Sequence, residues 1–316
     1  MSSNVQLLTV SDASEGQRLD NFLLARLKGV PKSLVYRIIR KGEVRVNKGR
    51  AKPERKLEVG DVVRVPPVRV ADSKTPPKIG DGLKEHLADA ILYDCPSFMV
   101  VNKPSGLAVH GGSGVSLGLI ESLRQMYPEQ AFLELVHRLD RDTSGCILVA
   151  KKRSMLRYLQ DLFRGVKQID KRYLALVKGQ WSKRAKVVDV PLLKNERQCG
   201  ERMVRVSPEG KASRTEFDLI EAFESASLVE ARPITGRTHQ IRVHALYKGH
   251  PLAGDEKYGD EAFNSALKAL GCRRLFLHAA CLAFDLSTGE HIRVEAPLPD
   301  ELNGVLKQLS TSRGAN

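Results

Sequence analysis

Two arginines and two carboxylates alternate within nine residues of this chain, in the segment HRLDRDTSG at 137–145. Apolar runs typical of β-strands lie on either side, at 133–136 and 146–150, so the segment is predicted to be a loop on a rigid scaffold. Asp140 and Asp142 are therefore candidates for nucleophilic or acid–base catalysis. The same residues are equally typical of a turn held by ion pairs and capped by its Thr-Ser-Gly end, and both interpretations stay open at this point.

The order of His, Arg and Asp in this segment is also similar to the catalytic loop of a protein kinase. However, a Leu separates Arg138 from Asp140, and the Asn that follows in kinases is missing. The chain has no Gly-rich nucleotide loop and no DFG sequence, so a kinase is excluded. The segment HGGSG at 110–114 lacks the Lys-Ser/Thr ending of a phosphate-binding P-loop and is predicted to be a flexible loop.

The cysteines and histidines form no metal-binding pattern. No pair of the five cysteines has CxxC spacing, and no His is placed to complete a zinc cluster, so neither a metal site nor a disulfide framework is predicted. An odd, scattered set of cysteines indicates a reducing compartment. The N-terminus lacks the features of a signal peptide, and no apolar run is long enough to span a membrane. We therefore expect a cytoplasmic protein without a membrane partner.

The charge of the chain indicates a polyanionic partner. The 316 residues include 51 Lys and Arg against 37 Asp and Glu, which gives a formal net charge of +14 and a pI of about 9.6. Lys and Arg that neutralise phosphates release counterions, so an excess of this size favours binding to nucleic acid. The excess is concentrated in residues 16–70, which contain fifteen basic and five acidic residues.

Residues 16–70 are predicted to form one small domain. Two apolar stripes at helical spacing predict two short helices within 17–41. The segment EVRVNKG at 43–49 is typical of a strand entering a turn, in which Asn and Gly supply a permissive backbone. The segment VGDVVRV at 59–65 is typical of a turn and a closing strand.

The remaining sequence predicts a linker and a second, larger domain. Residues 71–88 are rich in Pro, Gly and Lys and have weak periodicity, which indicates a linker. From 89 to 310, strand-like and helical patterns are mixed, without an alternating βα rhythm, a GxGxxG sequence or an internal repeat. These features predict an α+β domain with a mixed, mostly antiparallel sheet. Within this domain, Thr238 is predicted to be the N-cap of a helix that carries Gln240.

The small domain resembles the S4 RNA-binding domain. The string QRLDNFL…VPKSLVYRIIRKGEVRVNKGR…LEVGDVVRVP covers nearly the whole of that family's pattern. The resemblance implies a small α/β domain that binds structured RNA through the basic face of its helical hairpin. The residues that it points to are Arg37, Arg40, Lys41, Arg45 and Lys48.

The larger domain resembles the RluA-type pseudouridine synthases, whose signature is matched by HRLDRDTSG. Three further strings agree in order and spacing, NKPSG at 102–106, KRYLALV at 171–177 and PITGRTHQIRVH at 233–244, and LFLHA follows at 275–279. With the S4-like domain in front, the resemblance covers nearly the full length of the chain. It implies the pseudouridine synthase fold and an enzyme that breaks the N1–C1′ bond of a uridine in RNA, turns the uracil and joins C5 to C1′.

The same resemblance implies roles for individual residues. Asp140 would be the catalytic carboxylate, either as nucleophile toward C1′ or as the base that removes the C2′ proton, and the sequence leaves both routes open. Arg242 would keep that carboxylate ionised in a dry pocket, and Tyr173 would stack on the uracil and take the C5 proton. Arg138 would fill the gap that opens when the target uridine leaves its stack, and His137 would orient the loop.

The implied reaction adds nothing to the RNA and removes nothing from it, so neither a cofactor nor a metal is expected. The S4-like domain and the overall resemblance favour 23S ribosomal RNA, or a large-subunit assembly intermediate, as the partner of a monomer that modifies several uridines. Two alternatives stay open: a ribosome-assembly factor that binds RNA without catalysis, and the same chemistry on tRNA. We expect the other histidines of the motifs to be structural or to face the RNA, namely His239, His244 and His278.

Overall fold

A computed structural model of the chain describes residues 4–27, 29–68, 77–111, 117–165, 169–196 and 202–312. The chain divides into two compact units, Met1–Pro77 and Lys78–Asn316. Most of the loop predicted at 110–114 lies outside the described residues. Within the described ranges, none of the helices combines the length and the apolar character that crossing a membrane requires.

The first unit packs two helices against a four-stranded antiparallel sheet, which confirms the predicted helical hairpin and closing strand. The apolar stripes of both helices form the core of the unit: Leu19, Phe22, Leu23 and Val35 are completely buried there. The sheet has the strand order β1-β4-β2-β3. The elements are β1 (Gln6–Thr9), a 3-10 turn (Asp12–Ser14), α1 (Leu19–Arg26), α2 (Lys32–Arg40), β2 (Arg45–Val46), β3 (Gly49–Arg50) and β4 (Val62–Val65).

The hairpin turn between β2 and β3 differs in one detail from the prediction. Asn47 and Lys48 have positive φ angles of 50° and 69°, whereas Gly49 begins strand β3. Two consecutive left-handed residues make the tight turn that suits the twist of a two-residue hairpin. The Asn47 side chain fixes this turn to the sheet, because its amide donates to Asp61 at 2.6 Å and its oxygen accepts the Val62 N–H at 2.8 Å.

The second unit begins with a helix where the sequence predicted the end of a linker. Helix α3 (Asp81–Asp89) covers the second half of residues 71–88, so the predicted linker extended too far. The first half of that prediction, 71–76, lies outside the described residues. Leu87 of α3 is completely buried in the core of the second unit, and Leu83 packs beside it one turn earlier. Two apolar residues among many polar ones gave too weak a pattern to predict this helix.

The second unit is built on a ten-stranded sheet, which confirms the predicted α+β class. Eight strands follow the order β10-β13-β14-β9-β15-β8-β6-β5, with β16 beside β15 and β7 beside β8. The remaining elements are β5 (Ile91–Asp94), β6 (Phe98–Lys103), α4 (Leu119–Met126), β7 (Glu134–Leu135), β8 (Ser144–Ala150), α5 (Arg153–Phe163), β9 (Ile169–Lys178), β10 (Val187–Asp189), β11 (Leu192–Glu196), β12 (Arg202–Val206), β13 (Arg214–Ala222), β14 (Ala226–Pro233), α6 (Gln240–Tyr247), α7 (Glu261–Ala269), β15 (Leu277–Asp285), β16 (His291–Glu295) and α8 (Asp300–Ser312).

The central strands are buried on both faces, which explains why their sequences are continuous apolar runs. Met99 and Val101 of β6 face a cluster that includes α3 and α4, whereas Phe98 and Val100 face a cluster that includes α5. The same alternation continues in β8, all seven residues of which are buried. This sandwiched sheet gives the segment that precedes β8 a rigid support.

One strand pairing places the end of the 137–145 segment within the sheet. Among the described strands, β8 and β15 form the one parallel contact, in which Ser144 aligns with His278 and Gly145 with Ala279. Gly145 has a φ of +107°, and a Cβ atom there would meet the Ala279 carbonyl oxygen at 2.3 Å. Glycine is therefore required for the two strands to approach. On the other side of β15, Ala279 aligns with Tyr173 of β9, so Tyr173 and Gly145 are separated by the single strand β15.

Candidate active site

A cleft with a volume of about 680 Å³ opens in the second unit. Its walls come from the 137–143 loop, from strand β9 and from residues 233–242, which lead from β14 into helix α6. All five residues that the family resemblance pointed to in the larger domain line this cleft: His137, Arg138, Asp140, Tyr173 and Arg242. The fold thus brings together motifs that are far apart in the chain.

The carboxylate of Asp140 is paired with the guanidinium of Arg242. Nη1 of Arg242 donates to Oδ2 of Asp140 at 3.3 Å. The Arg242 side chain is only 8% exposed and the Asp140 side chain 21% exposed, so water screens this pair less than it screens a surface pair. Arg242 lies in the first turn of α6, a position that aims its side chain from a fixed backbone.

Arg242 has a second and tighter partner, Asp255, which was not predicted from the sequence. Its Nε and Nη2 atoms donate to the two oxygens of Asp255, each at 2.7 Å, in the planar bidentate geometry that favours Arg–carboxylate pairs. The Asp255 side chain is completely buried and also accepts the backbone N–H groups of Lys257 and Tyr258. The one available signal was an Asp after a Gly in a segment without a predicted element.

The electrostatics of this pair favour its ionised form. Burial alone would lower the pKa of Arg242, but the hydrogen bonds and the charge of Asp255 outweigh it and raise that pKa above its usual value. Burial alone would raise the pKa of Asp255, but the hydrogen bonds from Arg242 outweigh it and lower that pKa. Arg242 is therefore a permanent, immobilised cation beside Asp140.

A histidine also lies near this carboxylate oxygen. His239 Nε2 lies 3.8 Å from Asp140 Oδ2, and His239 Nδ1 lies 2.8 Å from the hydroxyl of Tyr258. The prediction that Thr238 caps α6 was wrong, because His239 occupies the N-cap with a left-handed φ of 53° and no side-chain cap bond. Burial lowers the pKa of His239, although the charge of Asp140 opposes this shift.

The loop that bears Asp140 is fixed from below by the NKPSG segment. Lys103 is completely buried, and its Nζ donates to the carbonyl oxygens of Pro104, Leu107 and Arg141 at 2.8–2.9 Å. The Gly106 N–H also donates to the Arg141 carbonyl, and the Ser105 hydroxyl donates to the next carbonyl along the loop at 2.7 Å. Burial lowers the pKa of Lys103 to about 7. These bonds account for the sequence motif NKPSG as a support of the loop.

Tyr173 and His137 present neutral rings to the cleft. Burial, and then the charge of Asp140, raise the pKa of Tyr173, so its side chain is a phenol at neutral pH. The His137 ring stacks on Phe163 with centroids 4.3 Å apart, and its Nε2 accepts the Leu148 N–H at 3.0 Å. Burial, followed by the positive charge of Lys171, lowers the pKa of His137 to about 3.

Arg138 differs from its neighbours because it is exposed at the cleft. Within the described ranges, its side chain has no ion-pair partner, whereas the next arginine of the loop, Arg141, pairs with Asp142 at 3.0 Å. An exposed guanidinium without a protein partner at the edge of a cleft is free to contact a phosphate or a base.

The five basic residues predicted in the first unit lie on α2 and on the hairpin that follows it. Arg37, Arg40, Lys41 and Lys48 are exposed, and Arg45 is half-buried. None of the five forms an ion pair with another residue in the part of the chain that the structure describes. Arg37 and Arg40 of α2 share one helix face with Lys41, the C-cap residue of that helix, so these cations are available to a ligand.

The two remaining histidines of the sequence motifs, His244 and His278, are structural. His278 is completely buried, with Nδ1 2.8 Å from the Ser144 hydroxyl and Nε2 3.1 Å from the Ala296 carbonyl oxygen. His244 is also completely buried, between the hydroxyls of Thr215 and Ser213. Among the described residues, no group of three or more potential ligands could hold a metal ion.

The comparisons with known proteins give the family. Residues 97–247 match the family described as RNA pseudouridylate synthase, and residues 17–63 match the S4 domain. The ribosomal large subunit pseudouridine synthase C of Yersinia pestis is 59% identical to this chain over 96% of both proteins. The chain belongs to the RNA pseudouridylate synthase family.

Further relatives extend the comparison from sequence to structure. The pseudouridylate synthase chain is 56% identical to ribosomal large subunit pseudouridine synthase C of Escherichia coli K12 over 98% of both proteins. The solved structure of human RNA pseudouridylate synthase domain containing 4 matches with a TM-score of 0.60 and 30% identity. That match covers 72% of this chain and 96% of the human one. The pseudouridylate synthase fold expected from the sequence is therefore confirmed.

Proposed function

We propose that the protein isomerises specific uridines of 23S ribosomal RNA to pseudouridine, with Asp140 as the catalytic carboxylate. The observation that carries the proposal is the Asp140–Arg242 pair in the cleft, 3.3 Å between Oδ2 and Nη1, with Arg242 fixed by buried Asp255. The names of the relatives at 55–59% identity support the large ribosomal subunit as the source of the substrate.

The overall reaction exchanges the N1–C1′ bond for a C5–C1′ bond, removes one proton from C5 and places one on N1. The N1–C1′ bond breaks, and after the uracil turns, a C5–C1′ bond forms. C5 then loses its proton, and N1 carries a proton in the product, so the RNA neither gains nor loses atoms. Asp140 starts the reaction either by attacking C1′, which forms a C1′–O bond that breaks again when C5 joins C1′, or by removing the C2′ proton, which returns to C2′ at the end. Both routes need the ionised carboxylate. Arg242 places a fixed positive charge 3.3 Å from that carboxylate.

Tyr173 contributes in two ways to the handling of the uracil. Its ring offers a flat surface on which the base can stack. Because its pKa is raised, its hydroxyl is protonated, so the oxygen takes the C5 proton only as it passes its own proton to a neighbouring acceptor. A phenol at this position is thus a relay rather than a free base.

Arg138 acts before the chemistry begins. A uridine within folded RNA must leave its stack to reach a cleft of this kind, and that extrusion costs a few kcal/mol. The exposed Arg138 side chain, two residues before Asp140, enters the vacated stack and offsets part of that cost. His137, stacked on Phe163, holds the backbone from which Arg138 extends. All these residues come from one chain, so the proposal needs only a monomer.

The first unit supplies affinity for RNA through basic side chains that form no ion pair within the described residues. Replacing Arg37, Arg40 and Lys41 by Gln removes three potential phosphate contacts from the exposed face of α2. We expect weaker binding of 23S rRNA and a slope of log K against log salt that is shallower by about two to three. Filter-binding titrations from low to moderate salt measure both quantities.

A matched control removes the same charge from exposed positions outside the first unit, Lys268 and Lys307 on helices and Arg273 in a loop. This variant has the same net charge as the first, so any general effect of charge appears equally in both. We expect the control to keep the wild-type salt slope. Equal slopes for the two triple variants would contradict a specific RNA-binding role for α2.

The function itself is tested by mapping pseudouridines in ribosomal RNA from a strain that lacks the gene. We expect particular pseudouridines of 23S rRNA to disappear and to return when the wild-type gene is restored. Losses confined to tRNA would instead support the same chemistry on tRNA. A full set of pseudouridines together with a defect in subunit assembly would support an assembly factor without catalysis. A second readout uses RNA with tritium at C5 of uridine, because the reaction must release that hydrogen to water.

A further inference from the structure

Arg242 and His239 both lie nearest to the same oxygen of the Asp140 carboxylate. Arg242 Nη1 lies 3.3 Å from Oδ2, and His239 Nε2 lies 3.8 Å from Oδ2. Among the described residues, no donor contacts Oδ1. The two oxygens of this carboxylate are therefore in different environments, and Oδ1 is the one left without a protein partner.

Tyr258 determines which nitrogen of His239 carries the proton. The Tyr258 hydroxyl oxygen accepts the backbone N–H of Val204 at 2.9 Å and lies 2.8 Å from His239 Nδ1. Burial raises the pKa of Tyr258, so its hydroxyl keeps a hydrogen to donate. If His239 Nδ1 were protonated, that hydroxyl hydrogen would have no acceptor among the described residues. Since buried hydroxyls are normally satisfied, Nδ1 accepts and Nε2 carries the proton that faces Asp140.

The backbone of His239 supports a functional reading of this geometry. Among the described residues, non-glycine positive φ angles occur at Asn47 and Lys48, in a hairpin turn, and at His239. A left-handed backbone at a residue that bears a large side chain is held in place by its surroundings, and such residues concentrate at active sites. Here the left-handed conformation directs the imidazole toward Asp140 at the start of α6.

One short turn supports both groups that face Oδ2. Asp255 fixes Arg242 through two bonds of 2.7 Å, and three residues later Tyr258 fixes His239. The Tyr258 ring also lies 5.0 Å from the Arg242 guanidinium and is nearly buried. The positive charge of Lys257, in the same turn, also lowers the pKa of His239. The turn at 255–258 is thus a single support for the charge and the hydrogen-bond donor beside Asp140.

We propose that His239 is a positioning residue for Asp140. The neutral Nε2–H of His239, oriented by Tyr258, holds Oδ2 together with Arg242. Oδ1 is thereby left to act on the uridine sugar. The inference rests on the proposed function, since it assigns the reacting oxygen of the same carboxylate. The distance of 3.8 Å is longer than a hydrogen bond, so the proposal requires this contact to shorten when RNA is bound, as catalytic hydrogen bonds often do.

Three substitutions of His239 separate the ring's donor from the strained backbone. A Gln side chain places an amide N–H near the position of Nε2, whereas an Asn side chain reaches only as far as Nδ1. Asn tolerates a left-handed backbone better than Gln, and Gly removes the strain altogether. If the role of His239 were purely structural, the Gly or Asn variant would react faster than the Gln variant. If His239 acts as a donor, the Gln variant is the fastest of the three.

We expect single-turnover tritium release from C5-labelled 23S rRNA to fall about 100-fold in His239→Asn and His239→Gly, the usual effect of losing one oriented donor. His239→Gln should stay within about tenfold of the wild type, and RNA affinity should be unchanged in all three. Tyr258→Phe should slow the reaction but add nothing in combination with His239→Gly, because it acts through the same ring. Multiplicative effects of the two changes, or an Asn or Gly variant faster than Gln, would overturn the inference.

A measurement independent of activity tests the tautomer directly. The ring ¹⁵N shifts of His239 should show a protonated Nε2 in the wild type and a mixture of tautomers in Tyr258→Phe. A protonated Nδ1 in the wild-type protein would refute the inference, whatever the outcome of the tests of the proposed reaction. If Asp140→Asn kept full turnover, the proposed function of Asp140 would fail instead. If Asp140→Asn were inactive and His239→Gly were as fast as the wild type, only the role of His239 would fail.

Discussion

Replacing Asp140 with Asn is expected to reduce pseudouridine formation by about four orders of magnitude or more, the scale seen when a group that starts the chemistry is removed. An amide is neither a nucleophile toward C1′ nor a base for the C2′ proton. The side chain keeps its shape beside Arg242, so the affinity for RNA should change little. Tritium release from C5-labelled 23S rRNA measures the rate, and filter binding measures the affinity.

Asp142→Asn is the matched control, since it makes the same change two residues further along the same loop. The Asp142 side chain is 43% exposed and pairs with the more exposed Arg141. Such a surface pair contributes little to stability, and the support from Ser105 contacts the backbone carbonyl rather than the side chain. We expect a rate within about threefold of the wild type. Equal losses in both variants would mean that the loop needs negative charge in general and not the Asp140 carboxylate.

Replacing Asp255 with Asn is expected to lower the free energy of unfolding by about 3 kcal/mol, because it leaves a buried guanidinium without its bidentate partner. The Asn amide would also point N–H groups at the N–H groups of Arg242. The 3.3 Å contact with Asp140 remains, so the loss should be at the lower end of the range for broken buried pairs. Urea-induced unfolding measures the change.

Asp161→Asn is the control for this prediction, since its partner Arg164 lies 2.9 Å away and both side chains are more than half exposed. We expect a loss below about 1 kcal/mol there. A comparable loss in both variants would show that burial of the Asp255 pair has no special weight.

The contribution of Asp255 should also depend on pH. Its pKa in the folded protein is below the usual 3.8, because hydrogen bonds from Arg242 outweigh the effect of burial. The folded state therefore binds this proton less tightly than the unfolded chain does. The stabilisation is fully present above the unfolded pKa and is lost as the pH falls through the folded pKa. The wild type and Asp255→Asn should converge in stability in acid, whereas a constant difference down to pH 2 would contradict this account.

Local patterns in the sequence were sufficient for much of the fold. Helices α1 and α2 follow from apolar residues at helical spacing, and β6 and β8 follow from short apolar runs, because these signals depend on neighbours a few residues apart. Helix α3 was missed because its apolar residues are few. The N-cap of α6 was misplaced because a left-handed His239 departs from ordinary cap chemistry.

Some residues of the candidate site could likewise be predicted from the sequence, and others could not. Resemblance to a known family pointed to Asp140 and Arg242, although periodicity alone left the 137–145 segment open between a catalytic loop and an ion-paired turn. The resemblance did not point to Asp255, which contacts Arg242 from thirteen residues further along the chain. It also left His239 undecided between a structural and an RNA-facing position. Both residues depend on contacts that no short window of sequence contains.

The sequence by itself determined the two kinds of domain, the strong positive charge of the first one, and the loop that carries the carboxylate. Only the tertiary structure decided which side chains surround that carboxylate and which of its oxygens they occupy. The physical reason is distance along the chain: Asp140 and Arg242 are 102 residues apart, and they meet because β8, β15, β9 and β14 pair side by side in one sheet, with α6 following β14. Strand register is a property of the whole sheet, so the partners of a side chain emerge only when the sheet is complete.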